Sequence, residues 1–431
     1  MKLYMPTEVY SEKNCVFNHS RELAALGSHA LIVTGKHSSR INGSLEDVTA
    51  ALERENIPYL IFDRIEENPS VETVMKACSL GLQDGADFVI GVGGGSPMDA
   101  AKAIALMMAN PEQDAGFLYA KPEKSGLIRP ALPVACVPTT AGTGSEVTPY
   151  SILTRSVLPE IVLTTLPENI KTTALSGSES ISGMSNRKGY NSNTNSQSGY
   201  TSNANNQPGN IPNLAAASGI SFPHLEKKTK HSISHRIFPR LALVDVTYLQ
   251  TASKSGCINT AVDTLAHLIE SHLNTNSTDY SRFYSEMGLR TWAKVKDKLL
   301  RYEIGEDERR LLMNACTLGG IAIAHTGTSL PHGLSYSITC EMGIPHGKAV
   351  GIFLPGFLRS YGDREEAMRV LSLLDFGSEQ TFAEYIRQLL GEVTISDSLW
   401  EEDVEGLLSN PTKRKNYPFL LDKEKLWQMR G

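Results

Sequence analysis

No segment of the 431-residue chain approaches the run of about 18 apolar residues that a membrane-spanning helix needs. The opening residues Met1–Pro6 lack both the apolar stretch and the small-residue cleavage site of a secretory leader. CxxC pairs are also missing. Cys15, Cys78, Cys136, Cys257, Cys316 and Cys340 lie far apart, which argues against a disulfide framework or zinc ribbon and suits reduced thiols in a cytoplasmic protein. Long basic runs are absent and the formal net charge is only -6, so neither nucleic acid nor a membrane surface is an expected partner.

What is present is an alternation of short β-branched runs with helical spacing. Strands are expected at His29–Thr34, Pro58–Phe62, Asp87–Val92 and Pro133–Val137. Helices are expected between them, with Leu45, Val48 and Leu52 on one face of the first. Such alternation predicts a parallel sheet covered by helices on both faces. Beyond about Thr251 long amphipathic stretches follow one another (Asn259–Leu273, Thr278–Leu300, Glu308–Ala324). The expected organisation is a Rossmann-like α/β domain over 1–250 and an all-helical domain over 251–431. The stretch from about Ser176 to Asn210 is dominated by Ser, Asn, Gly, Gln and Thr. That composition cannot bury enough apolar surface to offset chain entropy, so a disordered insertion is expected at about 155–223.

Gly91-Val92-Gly93-Gly94-Gly95-Ser96 closes one strand and opens a helix, followed by Asp99 and Lys102. Glycines let the backbone approach a phosphate, and a helix N-terminus offers unpaired N–H groups. No Gly-Lys-Ser/Thr closes the turn, which disfavours a kinase-type P-loop. A second strand-end loop, Pro138 to Thr148, carries Thr139, Thr140, Thr143, Ser145 and Thr148 around two glycines. Two polar loops at the carboxyl ends of parallel strands point to a nucleotide crevice.

Asp263 and His267 stand four apart in an otherwise apolar helical segment, on one face. His332 and His346 each precede a glycine. Three histidines and a carboxylate suit a divalent metal such as Fe²⁺ or Zn²⁺. Spacing alone does not join the four, and His235, His272 and His325 read as ordinary surface or core residues.

Together these motifs resemble the iron-containing (group III) alcohol dehydrogenases, in particular the butanol-dehydrogenase-like members. The Gly93–Lys102 segment resembles the family's first cofactor loop and Pro138–Glu146 its second. Asp263-xxx-His267 and the His332–Gly347 region resemble its metal motifs. The resemblance implies a dehydroquinate synthase-like fold, with metal in a cleft between an α/β and a helical domain. It implies Asp263, His267, His332 and His346 as ligands, and hydride transfer between NAD(P) and a small primary alcohol or aldehyde. It also implies cofactor contacts from Gly93, Gly94, Gly95, Ser96, Asp99, Thr139, Thr140, Thr143, Ser145, Thr148, Ser151 and Lys230, with Lys228 as a rival for the lysine. A homodimer or larger homo-oligomer is the family expectation.

Three departures stand out. Tyr336 occupies a position where many members carry a further histidine, which leaves a proton role to Tyr336 or to water, or leaves Tyr336 to fill space beside the metal. Gly35 stands where NAD-preferring relatives place an aspartate; with Lys36, Ser38 and Ser39 beside it, this favours NADP over NAD. The insertion separates two stretches that pair as a hairpin in the family. It motivates an alternative reading as a catalytically impaired or scaffold-like member. A cyclising lyase on the same scaffold is disfavoured by the Asp263/His267 pair.

Overall fold

A computed structural model describes residues 3–121, 129–157, 227–409 and 411–430. The expected insertion at about 155–223 lies outside the described residues except at its first few positions. Contact density divides the chain into two units. One comprises Met1–Gln113, Leu118–Arg155 and Thr229–Gly431, and the other Asp114–Phe117 and Ser156–Lys228. In the smaller unit the Gly116 N–H donates to Asp114 Oδ1 at 2.8 Å.

The larger unit holds a six-stranded sheet. Its strands are β1 (Glu8–Ser11), β2 (Ala30–Thr34), β3 (Tyr59–Phe62), β4 (Phe88–Gly93), β5 (Val134–Pro138) and β8 (Leu241–Val244). They run in the order β1-β8-β5-β4-β2-β3, and every pairing is parallel. β6 (Ile152–Val157) and β7 (Lys227–Ser232) form a separate two-stranded sheet. β2, β4 and β5 are buried along their whole length, as continuous apolar runs in a parallel sheet should be.

Side chains alternate between two covered faces. Ala30, Ile32, Phe88, Ile90, Ala135 and Leu241 share a cluster with Leu45, Val48 and Leu52 of helix α1 (Ser44–Arg54). The opposite face receives α2 (Val71–Asp84) and α3 (Gly95–Ala109). A Cβ on Gly81 of α2 would sit 2.9 Å from the Leu31 side chain, and one on Gly91 of β4 would sit 2.9 Å from Met98 Cα of α3. At Gly91 the neighbour is backbone, so close approach there requires glycine.

After β2 the chain moves to one side, to β3, and then returns to the other side of β2 as β4. The β2/β4 junction is therefore the topological switch point, where ligands of doubly wound sheets bind at the strand carboxyl ends. Thr34 and Gly93 end these two strands.

From Lys254 onward the regular secondary structure of the described residues is helical. The central element is α4 (Lys254–His272), buried continuously from Ala261 to His272. The Ser253 side chain caps it by accepting from the Gly256 N–H at 3.0 Å. Around it lie α5 (Asp279–Ala293), α6 (Glu306–Thr326), α7 (Leu330–Met342) and α8 (His346–Gly351). The expected Thr278–Leu300 stretch is two helices, α5 and Lys296–Arg301. Sheet gives way to helix between β8 and α4, yet contact density keeps both in one unit. β1 and β8 had no strong sequence signal. β1 is an edge strand with mostly exposed residues, and β8 is four residues long.

The tightest helix contact is at Gly347, where a Cβ would lie 1.8 Å from the Asn259 carbonyl oxygen of α4. Hydrogen there lets α8, and with it His346, approach α4. Gly347→Ala should lower the melting temperature, with an overpacking cost of about 1–3 kcal/mol, and should also reduce bound metal. Retained stability and metal content would show that α8 does not need this contact.

Candidate active site

Helix periodicity builds one side of the site. Asp263, His267 and Glu270 follow one another along one face of α4. All three are buried, Glu270 completely. α7 contributes His332, and α8 contributes His346 from its first position.

The four expected ligand residues converge on one oxygen. Asp263 Oδ1 lies 3.3 Å from His332 Nε2, 3.8 Å from His267 Nε2 and 3.9 Å from His346 Nε2. Ligand atoms of Asp263, His267 and His332 all fall within 4.8 Å of one another. Asp263 Oδ1 and His332 Nε2 are buried without a hydrogen-bond partner among the described residues. Buried polar atoms left in that state are costly, and three imidazole nitrogens around a carboxylate oxygen form a donor set suited to Fe²⁺ or Zn²⁺. The residues fit a divalent metal.

Charge favours the same reading. Burial raises the Asp263 carboxyl, but the surrounding His267, His332 and His346 outweigh it and hold Asp263 well below the usual carboxylate range. Burial lowers His267, and pushes His346 down to about 3 against the pull of Asp263. For both rings burial favours the neutral form, the form in which an imidazole binds metal. His332 differs: burial opposes its charge, but Glu270 and Asp263 push it up to about 10. Tyr336 stacks on His346, with ring centroids 5.7 Å apart and planes 8° apart. Burial pushes its hydroxyl above the ordinary value.

The other side of the site is held by a buried lock. Lys102, fully buried in α3, donates to Ser145 Oγ at 2.6 Å and to the Tyr150 carbonyl at 2.9 Å. Ser145 Oγ donates in turn to Asp99 Oδ1 at 2.5 Å, while Asp99 Oδ2 accepts from the Ile152 N–H at 2.9 Å. Ser151 Oγ donates to the Asp99 carbonyl at 2.7 Å. Asp99 and Lys102 thus clamp the second loop and the start of β6 onto α3. No side chain caps the N-terminus of α3, whose N-cap is Gly94, so its first N–H groups are available to a phosphate. A Cβ on Gly95 would lie 2.6 Å from Thr143 Cγ2, so the cradle is closed to anything larger than glycine.

A cavity of about 590 Å³ joins both sides. Gly95, Ser96, Asp99, Thr143, Ser145, Thr148 and Lys230 line it together with Asp263, His267, His332, Tyr336 and His346. Gly93, Gly94, Thr139, Thr140 and Ser151 do not line it. They support the loops: the Thr139 N–H donates to the Gly93 carbonyl at 2.9 Å, and Thr140 packs against Gly94. Gly35, Lys36, Ser38 and Ser39 lie past the end of β2, also off the cavity wall. Ser39 is buried, its Oγ 2.8 Å from Thr34 Oγ1, whereas Lys36 and Ser38 are exposed. Burial lowers the Lys230 ammonium against the opposing charges of Cys340, Glu67 and Asp263. The Lys228 side chain lies outside the described residues.

Two residues on this wall or just behind it escaped the sequence reading. Asn68 adopts a left-handed conformation with φ 56° and lines the cavity; its N–H donates to Ser96 Oγ at 3.1 Å. The Asn-Pro dipeptide was the available signal. Glu270 meets His332, and its place one turn beyond His267 was legible in the same helical spacing.

The chain matches the model described as iron-containing alcohol dehydrogenase over residues 6–165, and that of the family's C-terminal part over 257–407. An iron-containing alcohol dehydrogenase structure from Thermotoga maritima is 31% identical, with a TM-score of 0.75 over 99% of this chain and 98% of that one. The chain belongs to the iron-containing alcohol dehydrogenase family. Among curated relatives of this family, an NADPH-dependent butanol dehydrogenase of Clostridium saccharobutylicum is 23% identical over 95% of this chain and 82% of its own length. Aldehyde-alcohol dehydrogenase 2 of Entamoeba histolytica is 23% identical over 90% of this chain, which spans only 37% of that longer protein. The α/β sheet followed by a helical region is the fold of the family's solved structures.

Removal of single ligands tests the convergence on Asp263 Oδ1. His267→Ala and Asp263→Asn should each lose bound metal and turnover together, while nucleotide binding to the α/β part persists. Wild-type metal content in either variant, measured by elemental analysis after dialysis, would move the metal elsewhere.

Proposed function

We propose that this protein is a metal-dependent alcohol dehydrogenase or aldehyde reductase that exchanges hydride between NADP and a small primary alcohol or aldehyde. The observation that carries the reading is the set of three imidazole Nε2 atoms around Asp263 Oδ1 at 3.3–3.9 Å, on the wall of the cavity that also holds the uncapped α3 N-terminus. Asp263, His267, His332 and His346 would hold Fe²⁺ or Zn²⁺. When bound, the metal supplies Lewis acidity toward an alcohol or aldehyde oxygen, and the nicotinamide gives or takes the hydride.

The chain's own residues do the remaining work. The N–H groups at Gly95 and Ser96 are placed for a pyrophosphate, with Thr143, Ser145 and Thr148 on the facing loop and Lys230 across the cavity. Gly93, Gly94, Thr139, Thr140 and Ser151 shape that cradle from behind or below, and Asp99 anchors it from the cavity wall. Tyr336, stacked on His346, helps to orient that ring.

The preference for NADP rests on the end of β2. Gly35 has no positive φ, and a Cβ there would meet nothing nearer than the Ile65 carbonyl at 3.4 Å. Backbone geometry therefore does not demand glycine. Its lack of a carboxylate beside exposed Lys36 and Ser38 leaves room and positive charge for a 2′-phosphate. Similarity to an NADPH-dependent butanol dehydrogenase points the same way. Ser39 would serve through the loop backbone, since its hydroxyl is engaged by Thr34.

All six cysteines are free, which suits a cytoplasmic protein, and the family resemblance suggests a homodimer or larger assembly. The alternative of an impaired member rests on the 155–223 segment, and none of the described site residues supports it.

Metal-stripped protein should reduce butanal only after Fe²⁺ or Zn²⁺ is restored, faster with NADPH than with NADH. Gly35→Asp should lower kcat/KM for NADPH by about tenfold or more, because a like charge would face the 2′-phosphate. An unchanged NADPH/NADH ratio in that variant would remove Gly35 from cofactor selection. Silence of the folded wild-type protein with both cofactors and both metals would sink the butanal reading.

A further inference from the structure

We infer that Glu270 is the positioning residue of the metal centre, and that its two carboxylate oxygens select the one His332 tautomer able to bind metal. The inference rests on the metal-site reading above and assigns a role to a residue outside the ligand set.

Glu270 is fully buried and reaches from α4 to the first turn of α7. Its Oε1 accepts from the His332 backbone N–H at 2.9 Å, and its Oε2 is bonded to His332 Nδ1. Ser329, the N-cap of α7, provides no side-chain cap, and Pro331 has no N–H to give. Glu270 therefore satisfies an otherwise orphaned donor of α7 from a neighbouring helix, and places negative charge where the helix dipole favours it. Among the described residues, His332 is the one of the three converging histidines whose second ring nitrogen meets a carboxylate.

The chemistry leaves little freedom. The backbone N–H is always a donor. For Nε2 to keep a lone pair for metal, Nδ1 must carry the proton, so it is a donor too. Two donors facing two separate atoms need two acceptors, and only a carboxylate offers that. Glutamine fails in either orientation. With its oxygen on Nδ1–H, its NH₂ opposes the backbone N–H. With its NH₂ on Nδ1, the proton is forced onto Nε2, which then cannot bind metal. Carboxylates behind a metal-bound imidazole orient the ring and raise its basicity, and their loss typically weakens metal binding by about 10–100-fold.

The test uses full-length protein at fixed pH, with Zn²⁺ affinity read by chelator competition and folding checked by circular dichroism. Glu270→Gln should fold and bind Zn²⁺ about 10–100-fold more weakly than wild type. In a His332→Ala background the same substitution should cost nothing further, because its effect passes through the ring. A folded Glu270→Gln variant with affinity within about twofold of wild type, or an equal loss in the His332→Ala background, would overturn the inference. In ¹⁵N-histidine-labelled wild type loaded with Zn²⁺, His332 should show Nδ1 protonated and Nε2 bound. The opposite tautomer overturns the inference even if the variants fail to fold. Wild type that binds no Zn²⁺ at all would instead remove the metal-site reading beneath it.

Discussion

A carboxylate oxygen buried among helices, with three imidazole nitrogens 3.3–3.9 Å away and no hydrogen bond of its own, is the constraint to which the rest of this molecule answers. Desolvating Asp263 is unfavourable unless positive charge is brought to it. The protein places it on the buried half of α4, and then brings α7 and α8 to that helix so that their histidines surround it. Glu270 adds a second buried negative charge behind His332. Two carboxylates and three imidazoles in one buried cluster form a donor set that fits a divalent cation.

Glycine makes the necessary approaches possible. Gly347 lets α8 touch the α4 backbone, Gly95 lets the second loop close on α3, and Gly91 lets α3 lie against β4. Each stands where a methyl group would collide with a backbone or side-chain atom that has little room to move. Polar clamping complements this packing. The Lys102–Ser145–Asp99 lock spans 43–53 residues of sequence with every partner satisfied, so its buried charges are compensated locally. One consequence is a division of labour among the polar loop residues. Gly95, Ser96, Thr143 and Thr148 face the cavity, while Thr139, Thr140 and Ser151 hold those loops in place.

Much of this was legible beforehand. The buried strands β2, β4 and β5 read as strands because residues covered on both faces must be apolar throughout. α4 announced Asp263 and His267 because a spacing of four residues is one helical turn. β1 was not legible, because an exposed edge strand carries no hydrophobic run, and the short apolar run of β8 went unread. The break between α5 and Lys296–Arg301 was hidden because amphipathic spacing continues across it.

The sequence by itself determined the elements and the inventory: parallel strands ending in glycine-rich loops, a helix with two candidate ligand residues on one face, and two further histidines each before a glycine. Local patterns suffice there, because strand burial, helical period and turn chemistry are written within a few residues of one another. Only the tertiary structure decided which of those groups meet. His332 and His346 lie 69 and 83 residues beyond Asp263 in the numbering, and nothing in their spacing fixes a common point in space. The pairing of Glu270 with His332, and the sorting of loop hydroxyls into cavity wall and scaffold, were decided in the same way. Such contacts depend on how helices pack, and packing is set by side chains distant in sequence.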